Sequence, residues 1–383
     1  MAAEARRETP KISRRDISMT LALGAIVAFF AVREPLFLSS RNLSLLAIEL
    51  SVTAILALGM LVVLLPGQID LAAGSGVGLF GGIAAVLVFS HGMSAPLAMF
   101  IALALAVGVW TLMGTVIIVE RVPSFIITLG GLLVFKGLHW LVIHNQTVPI
   151  VEGGKSNLFS LLTTYYLPKP IGFLLAIGII GVMAWAKISA RRRRQAHALR
   201  VDDADTTFLS LFAGAQMIML FVIVANQYRG VPMPAVILGV TVVAIQLVTQ
   251  HTPFGRYLYA VGGNEDAANL AGVPVRYVVI GAYAIMGGLV ALTGFMQTAY
   301  SGASTTTVGS LMELDAVAAC VIGGTSLRGG RGTVVGTLFG ALIMATLLNG
   351  MTLLAVPPEI KFVARGAVLA LAVWLDVRLG SGR

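Results

Sequence analysis

The stretch LSLLAIELSVTAILALGMLVVLL, residues 43–65, contains a single charged residue, Glu49. A transmembrane α-helix needs about 20 predominantly apolar residues, and this run is long enough. The sequence predicts an all-α polytopic membrane protein with about 10–12 transmembrane helices, because similar runs recur along the whole chain. The other predicted spans lie at 17–32, 70–89, 96–118, 125–144, 171–186, 207–225, 235–250, 276–298, 312–325, 333–349 and 360–376.

Composition agrees with this class. The 383 residues have a mean hydropathy of +0.92 and only 11% charged residues, against about 25% in soluble domains. A transmembrane β-barrel would show short alternating segments instead. The polar stretches between the spans are too short to bury a core of their own. We therefore predict one transmembrane domain at 17–378, with tails at 1–16 and 379–383.

The basic residues are distributed unequally between the two sets of loops. With the N-terminus inside, 18 of the 26 basic residues fall in cytoplasmic segments and six in the opposite loops. This is the positive-inside pattern, so both termini are expected in the cytoplasm and the charge of +9 does not indicate nucleic acid. The Arg191–Arg194 run is either a further orientation signal or a patch for lipid headgroups. The first apolar run is followed by REPLFLSS, without a small-residue cleavage site, which indicates a retained span.

Two glycine-rich stretches interrupt predicted spans, GQIDLAAGSGVGLFGG (67–82) and LMELDAVAACVIGGTSLRGGRG (311–332). Each places an aspartate, Asp70 or Asp315, after an apolar residue and before small residues. This pattern predicts broken or re-entrant helices that line a cavity, and an internal repeat. The small residues also allow close helix packing. Each aspartate could act in a proton relay, but a helix N-cap is the cheaper role near a span end.

Few residues could form a catalytic site or a metal-binding site. Cys320 is the single cysteine, which excludes an intramolecular disulfide and a cysteine-rich metal site. The five histidines are scattered, and no H-E-x-x-H pattern occurs. The stretch GGTSLRGGRG (323–332) is not a Walker A loop, because Gly330 and Arg331 stand where that loop needs Lys and Ser or Thr. We predict a tight turn there.

A polar stretch, GGNEDAANLAG at 262–272, lies between two long apolar runs. Asn264 is a good N-cap, because its side-chain oxygen can accept from the free N–H groups of the first turn. Glu265 and Asp266 follow where the helix dipole favours negative charge. Gly272 suits the left-handed position after a helix end. The stretch therefore predicts a short, strongly capped helix.

The predicted helix covers 265–271, and a helix this short is marginal on its own in water. Ala267, Ala268 and Ala271 give it a face of small residues. Two interpretations stay open at this point. The helix docks through its alanine face into a groove on another protein, or it is an ordinary loop helix at the membrane surface.

The stretch AVGGNEDAANLAGV resembles the "EAA" coupling loop of permease subunits of bacterial ATP-binding-cassette importers. The pattern E-A-A-x-x-x-G is met at Asp266, Ala267, Ala268 and Gly272, with Asp in place of Glu. Residues from about 40 onward are similar to the sugar branch of that family, the ribose, xylose, galactose and arabinose permeases. YRGVPMP (228–234) and the long loop before the arginine run are most similar to the D-xylose permeases. The other matching stretches are IDLAAGS (69–75), VPSFIITLGG (122–131), ELDAVAACVIGGTSLRGGRGTVVGTLFGA (313–341) and VARGAVLALAVWLD (363–376).

The resemblance implies a bacterial inner-membrane homodimer that forms the pathway for a monosaccharide. Its implied partners are an ATPase subunit, which binds ATP and Mg, a periplasmic sugar-binding protein and the surrounding lipid. The chain itself would hold no catalytic residue, cofactor or metal. The alternatives are a self-contained proton-coupled secondary transporter and an integral-membrane enzyme. Within the coupling loop at 251–275, the residues that would contact the ATPase are Gly263, Asn264, Glu265, Asp266, Ala267, Ala268 and Gly272.

Two charges inside predicted spans depart from the family pattern, in which the position of Lys136 commonly holds Arg and that of Glu49 is uncharged. A charge at mid-membrane costs about 3 kcal/mol on insertion scales, so we hypothesise that the two residues pair. The alternative is that each faces a water-filled cavity separately. Polar and aromatic candidates for the sugar pathway, which could equally be packing residues, are Phe80, Asn226, Phe295, Gln297, Tyr300 and Asn349.

Overall fold

The computed structural model describes residues 14–151, 153–197 and 204–380. Nearly all regular structure in these ranges is helical, as the apolar runs predict. The α-helices of the described ranges are α1 (Arg14–Arg33), α2 (Ser40–Leu64), α3 (Ala73–Phe89), α4 (Ala95–Glu120), α5 (Ser124–Val142), α6 (Leu158–Thr164), α7 (Lys169–Ala196), α8 (Ala204–Tyr228), α9 (Met233–His251), α10 (Pro253–Gly263), α11 (Glu265–Leu270), α12 (Val275–Ser301), α13 (Met312–Ile322), α14 (Val334–Leu353) and α15 (Pro358–Gly380).

Eight helices of the described chain are long and apolar enough to cross a bilayer: α2, α4, α5, α7, α8, α9, α12 and α14. Shorter apolar helices occur at Ile17–Arg33 and in α3. The polytopic all-α class is therefore confirmed, and each of the twelve predicted spans coincides with a helix. α13 has 11 residues and extends about 16 Å, roughly half of the hydrocarbon core. It does not cross the membrane alone.

The division into two tails and one transmembrane domain stays a prediction. Residues 1–13 and 381–383 lie outside the described ranges. α1 begins at Arg14 and α15 continues to Gly380, so helical structure reaches into both predicted tails.

Three long helices form the centre of the bundle. More than half of the apolar stretch of α2, α12 and α14 is buried, whereas less than a quarter is buried in α5, α7, α8 and α9. α12 packs against α2, α3 and α4, and α14 packs against α2 and α13. The outer helices expose large apolar side chains, which is the arrangement expected where lipid replaces water as the solvent.

Both predicted interruptions are present. The chain is not helical between the end of α2 and Ala72, and Gly67 has a φ of +82° there. Between α13 and α14 the chain is again irregular over residues 323–333, within the second predicted stretch. A further irregular segment, which was not predicted, runs alongside α3 at residues 302–311, between α12 and α13. A methyl group at Gly74 would overlap the Gly309 carbonyl oxygen, and one at Gly78 would overlap that of Val308. Glycine is therefore required on α3 where this re-entrant segment (302–311) passes. The internal repeat stays a prediction.

Short strands and a short helix join the segments between the long helices. β1 (Val148–Pro149) pairs with β4 (Ala303–Ser304), and β2 (Tyr166–Leu167) pairs with β3 (Val231–Pro232), both antiparallel. α6 starts with a capping box formed by Asn157 and Ser160. The sequence analysis did not predict these elements, because two-residue strands carry no periodic signal.

Candidate functional site

The short capped helix predicted at 265–271 is α11 (Glu265–Leu270). Asn264 is its N-cap, and its side-chain oxygen accepts a hydrogen bond from the Ala267 backbone N–H at 2.9 Å. Gly272 has a φ of +80°, in the left-handed region. The predicted caps are therefore present, although the helix ends at Leu270 and Ala271 is already the C-cap residue.

The exposed face of α11 differs from the predicted one. Ala268 is buried in the protein's own core, so the prediction that it lies in an external docking face is wrong. Ala267 and Ala271 are exposed. At the same end of the bundle Leu270 is 89% exposed, and Tyr277 in the first turn of α12 is 77% exposed.

A cleft of about 810 Å³ borders α11. One side is formed by the α4–α5 connection, which includes Arg121, and the other by α11 and the start of α12. Glu265 and Asp266 contribute acidic groups, and Arg276 contributes a second basic one. The surface around α11 thus offers charges of both signs beside exposed apolar side chains.

The coupling loop also contacts both interruptions of the bundle through glycine residues. The Gly330 N–H donates to the Leu65 carbonyl oxygen at 2.9 Å, which joins the α13–α14 loop to the end of α2. A methyl group at Gly262, in the last turn of α10, would overlap both of these atoms. One at Gly329 would meet the backbone of Gly67 and Gly262. We call Gly67, Gly262, Gly329 and Gly330 the glycine junction.

Tyr259 fixes α10 to the same loop. Its hydroxyl donates to the Gly332 carbonyl oxygen at 2.9 Å and accepts from the Gln250 side-chain amide at 3.0 Å. Burial raises the pKa of the Tyr259 hydroxyl above its ordinary value of 10.0, so the hydroxyl stays protonated and keeps its donor role. This bond therefore connects α10 directly to the α13–α14 loop.

Asp70 lies fully buried just before α3. One of its oxygens accepts from the Ala72 backbone N–H at 2.8 Å, and the other accepts from the Trp110 indole N–H at 2.6 Å. Asp70 thus satisfies a free N–H at the start of α3, although Ala72 occupies the N-cap position itself. Trp110 was not predicted as its partner.

Asp315 does not cap a helix, so that expectation is wrong. It lies within the first turn of α13, whose N-cap is Leu311 without a side-chain cap bond. Its carboxylate instead lies 3.4 Å from the Arg365 guanidinium of α15 and forms an ion pair with it. The pair connects the short broken helix to the last helix of the bundle.

Glu49 is the centre of a polar cluster in the apolar interior. The Tyr300 hydroxyl donates to one of its oxygens at 3.0 Å, and the Asn349 amide donates to the other at 3.1 Å. The Asn42 amide donates to the Asn349 oxygen at 2.9 Å. The structure therefore brings together two of the predicted pathway residues around Glu49.

The hypothesis that Glu49 pairs with Lys136 is wrong. Between these two described residues no ion pair forms, and Glu49 is bonded to Tyr300 and Asn349. Lys136 is exposed on α5, with its ammonium 5.6 Å from the ring centre of Trp140. Helix α5 presents Lys136 away from α2, so tertiary packing separates the two charges.

The remaining pathway candidates do not meet at one site. Phe80 is buried with its ring edge toward Trp110, and Phe295 is buried against Phe159. The Asn226 amide donates to the Lys169 carbonyl oxygen at 3.4 Å, near the start of α7. Gln297 is half-buried on α12.

Several polar contacts beside the re-entrant segment were not predicted. The His139 ring lies 3.0 Å from the Ser304 hydroxyl, and the Trp140 indole donates to the Thr306 carbonyl oxygen at 3.2 Å. The run of hydroxyl residues at 304–307 was a signal that could have been used, since four in succession are unusual beside a transmembrane span. No group of three or more His, Cys, Asp or Glu side chains that could hold a metal ion occurs in the described ranges.

The described residues thus form an all-α polytopic membrane protein with eight candidate membrane spans, interrupted helices in its interior and a short capped helix, α11, at one end. The chain belongs to the family described as branched-chain amino acid transport system / permease component, whose model matches residues 42–373.

Curated relatives match over nearly the whole chain. It is 39% identical to the xylose transport system permease protein XylH of Haemophilus influenzae, over 94% of this chain and 95% of that protein. XylH of Escherichia coli K12 is also 39% identical, over 94% of this chain and 90% of that protein. The ribose import permease protein RbsC of E. coli K12 is 31% identical, over 93% of this chain and 92% of that protein. No solved structure matches. The resemblance to the sugar permeases is thereby confirmed.

Proposed function

We propose that this chain is the membrane-spanning subunit of an ATP-driven importer in the bacterial inner membrane and forms the pathway for D-xylose or a related monosaccharide. The observation that carries the proposal is the 39% identity to xylose permeases over 94% of the chain. The family description names branched-chain amino acids, but the relatives with the highest identity reported above are sugar permeases. This similarity over the full length favours a sugar.

The partner ATPase docks on the α11 surface. The ATPase subunit itself binds ATP and Mg²⁺. Support comes from Leu270 and Tyr277, which are exposed large apolar residues beside the acidic Glu265 and Asp266. A periplasmic sugar-binding protein contacts the opposite end, and a second copy of the chain completes the pathway. The chain's own role is conformational, not enzymatic.

Motion reaches the pathway through the glycine junction. α10 and α11 are consecutive helices, and Gly262 of α10 contacts both Leu65 and Gly330. When the ATPase moves α11, α10 displaces the backbone at the end of α2 and in the α13–α14 loop together. Close backbone contact without intervening side chains makes this coupling stiff.

Leu270→Gln tests the docking surface. The variant removes an exposed apolar side chain. Because glutamine is a good helix former, the permease should still fold normally. We expect co-purification of the ATPase and ATP-dependent xylose uptake to fall at least about fivefold, the effect of losing about 1 kcal/mol of buried apolar contact.

Leu36→Gln is the matched control. Leu36 is 63% exposed in the 3₁₀ helix Pro35–Leu38, between α1 and α2. Its substitution should leave recovery of the ATPase unchanged, because Leu36 lies at the opposite end of the bundle from α11. Equal recovery of the ATPase with Leu270→Gln and with Leu36→Gln would contradict the docking assignment.

The proton-coupled alternative makes a different prediction for the purified chain in liposomes. A secondary transporter would take up xylose without any ATPase, driven by an imposed proton gradient. We expect no uptake under that gradient, and uptake only when the ATPase, the binding protein and ATP are supplied. Gradient-driven uptake by the chain alone would replace the importer proposal.

A further inference from the structure

We propose that the face of α5 carrying Lys136 and Trp140, together with the hydroxyl groups of the re-entrant segment, forms a sugar-binding surface that lines a water-filled pathway. The inference rests on the proposed function for the identity of the ligand. We call Lys136, Trp140, Thr305, Thr307 and Ser310 the hydroxyl–tryptophan surface.

This surface lies at a depth that is within the membrane. His139 is one helical position from Trp140, and a methyl group at either Gly78 or Gly82 would overlap the His139 ring. These glycines lie in the middle of α3, which is itself an apolar helix of 17 residues. Between Gly82 and Gly74 the re-entrant segment follows α3 for about 12 Å, eight residues at 1.5 Å each. Lys136 and the hydroxyl run are therefore at transmembrane depth.

Lipid contact is incompatible with what this surface exposes. Lys136, Thr307 and Ser310 are all exposed. Non-helical backbone at membrane depth is tolerated only where it is buried in protein or lines a water-filled cavity, and a lysine facing hydrocarbon is costly. Here the non-helical backbone of the re-entrant segment and the lysine of α5 lie side by side, since the Trp140 indole of α5 donates to the Thr306 carbonyl oxygen. The surface thus faces water.

The chemistry of the exposed groups fits a monosaccharide. Trp140 is 40% exposed and presents an apolar ring with Lys136 close to its face. The Thr305 and Thr307 hydroxyls lie 3.0 Å apart and hydrogen-bond each other. Hydroxyls can donate and accept, and the lysine ammonium donates three hydrogen bonds. An apolar platform bordered by a few such groups is typical of a site for a small polar ligand.

Thiol accessibility tests whether the surface faces water. Cys320 is fully buried, and Cys320→Ala provides a background without thiols. In this background we would introduce Lys136→Cys, Thr307→Cys and, as the matched control, Val134→Cys. Val134 is exposed on the same helix at nearly the same depth. It lies two residues from Lys136, which places it on the opposite face of α5, about 200° around the helix axis.

A membrane-impermeant, charged thiol reagent should label positions 136 and 307 at least about tenfold faster than position 134, because only thiolates that reach water react. Labelling at 136 and 307 that is no faster than at 134 overturns the inference. This measurement needs no sugar and no partner subunit, so it gives an answer even if the proposed function fails.

Uptake tests the ligand. In cells with the ATPase and binding protein, Trp140→Ala should lower D-xylose uptake at limiting sugar about tenfold, the effect of losing an aromatic platform. Trp140→Phe retains a ring and should keep at least about half of the uptake. Trp185→Ala, at an exposed tryptophan of α7, is the matched control and should be unaffected.

Uptake with Trp140→Ala equal to that with Trp185→Ala, at matched membrane levels, overturns the assignment of Trp140 to the ligand. Failure of the wild-type chain to import D-xylose with both partners overturns the proposed function instead. The thiol experiment then still decides whether the surface lines a pathway.

Discussion

Single residues in the interior show how this chain accommodates polar groups in an apolar environment. Asp70 is fully buried, and both of its oxygens have a donor, the Ala72 backbone and the Trp110 indole. A buried donor or acceptor without a partner costs about 1–3 kcal/mol. The bonds of Asp70 thus fix the start of α3 to α4 at a specific position.

Asp70→Ala should destabilise the permease because it leaves the indole and backbone N–H groups unpaired. Trp110→Phe removes one of these donors, and the double variant should therefore lose less stability than the sum of the two single variants, by about 1 kcal/mol or more. Thermal unfolding in detergent measures all three. Strictly additive losses would show that the hydrogen bond between Asp70 and Trp110 contributes nothing specific.

Contacts between residues that are close in the sequence could be predicted, whereas contacts between distant residues could not. The Asn264 cap lies three residues from Ala267, so its chemistry can be read from the sequence alone. The partners of Glu49 lie 251 and 300 residues away, at Tyr300 and Asn349. Their meeting depends on how α2, α12 and α14 pack, and no local pattern records that. The burial of Ala268 was missed for the same reason.

At the scale of elements, the position of α10 depends on two adjacent glycines with different surroundings. A methyl group at Gly262 would overlap the Leu65 carbonyl oxygen and the Gly330 nitrogen, whereas one at Gly263 would meet nothing within 4 Å. Both residues are helical. In a helix interior, alanine is about 1 kcal/mol more favourable than glycine, so propensity alone would favour both substitutions.

Gly262→Ala should uncouple transport, because the added methyl group forces α10 away from the glycine junction. Gly181→Ala, in the interior of α7 and away from α10 and α11, is the control, since a methyl group there also meets nothing within 4 Å. It should transport like the wild type with equal or slightly higher thermal stability. Xylose uptake per ATP hydrolysed, measured in liposomes with all subunits, reports the coupling. Wild-type coupling in Gly262→Ala would remove the glycine junction from the path of transmission.

The long elements were predictable because span length is set by bilayer thickness and not by tertiary contacts. All twelve predicted spans coincide with helices. The sequence could not show that α13 ends after 11 residues, since apolar and small residues continue beyond it. Nor could it show the re-entrant segment, whose path is set by the glycines of α3 that allow its backbone to approach closely.

The whole molecule has two different ends. The pairing of β2 with β3 holds the starts of α7 and α9 together at one end. Both helices then run in the same direction, so the Arg191–Arg194 run of α7 and the α10–α11 pair that follows α9 lie at the other end. Basic residues thus mark the same end as the proposed ATPase surface, as the positive-inside rule requires if that end is cytoplasmic.

Orientation can be measured with two matched cysteines in the Cys320→Ala background. Leu36→Cys and Leu270→Cys introduce thiols at positions that are 63% and 89% exposed at opposite ends of the bundle. Because both side chains are accessible once a reagent reaches their side, a difference in labelling reports the side of the membrane. In intact cells an impermeant maleimide that crosses only the outer membrane should label Leu36→Cys and not Leu270→Cys. In inside-out vesicles from cells that express the chain without its ATPase, the result should be reversed, since the proposed docking surface is then uncovered. The opposite pattern would place the termini outside, and would move the proposed ATPase contact away from α11.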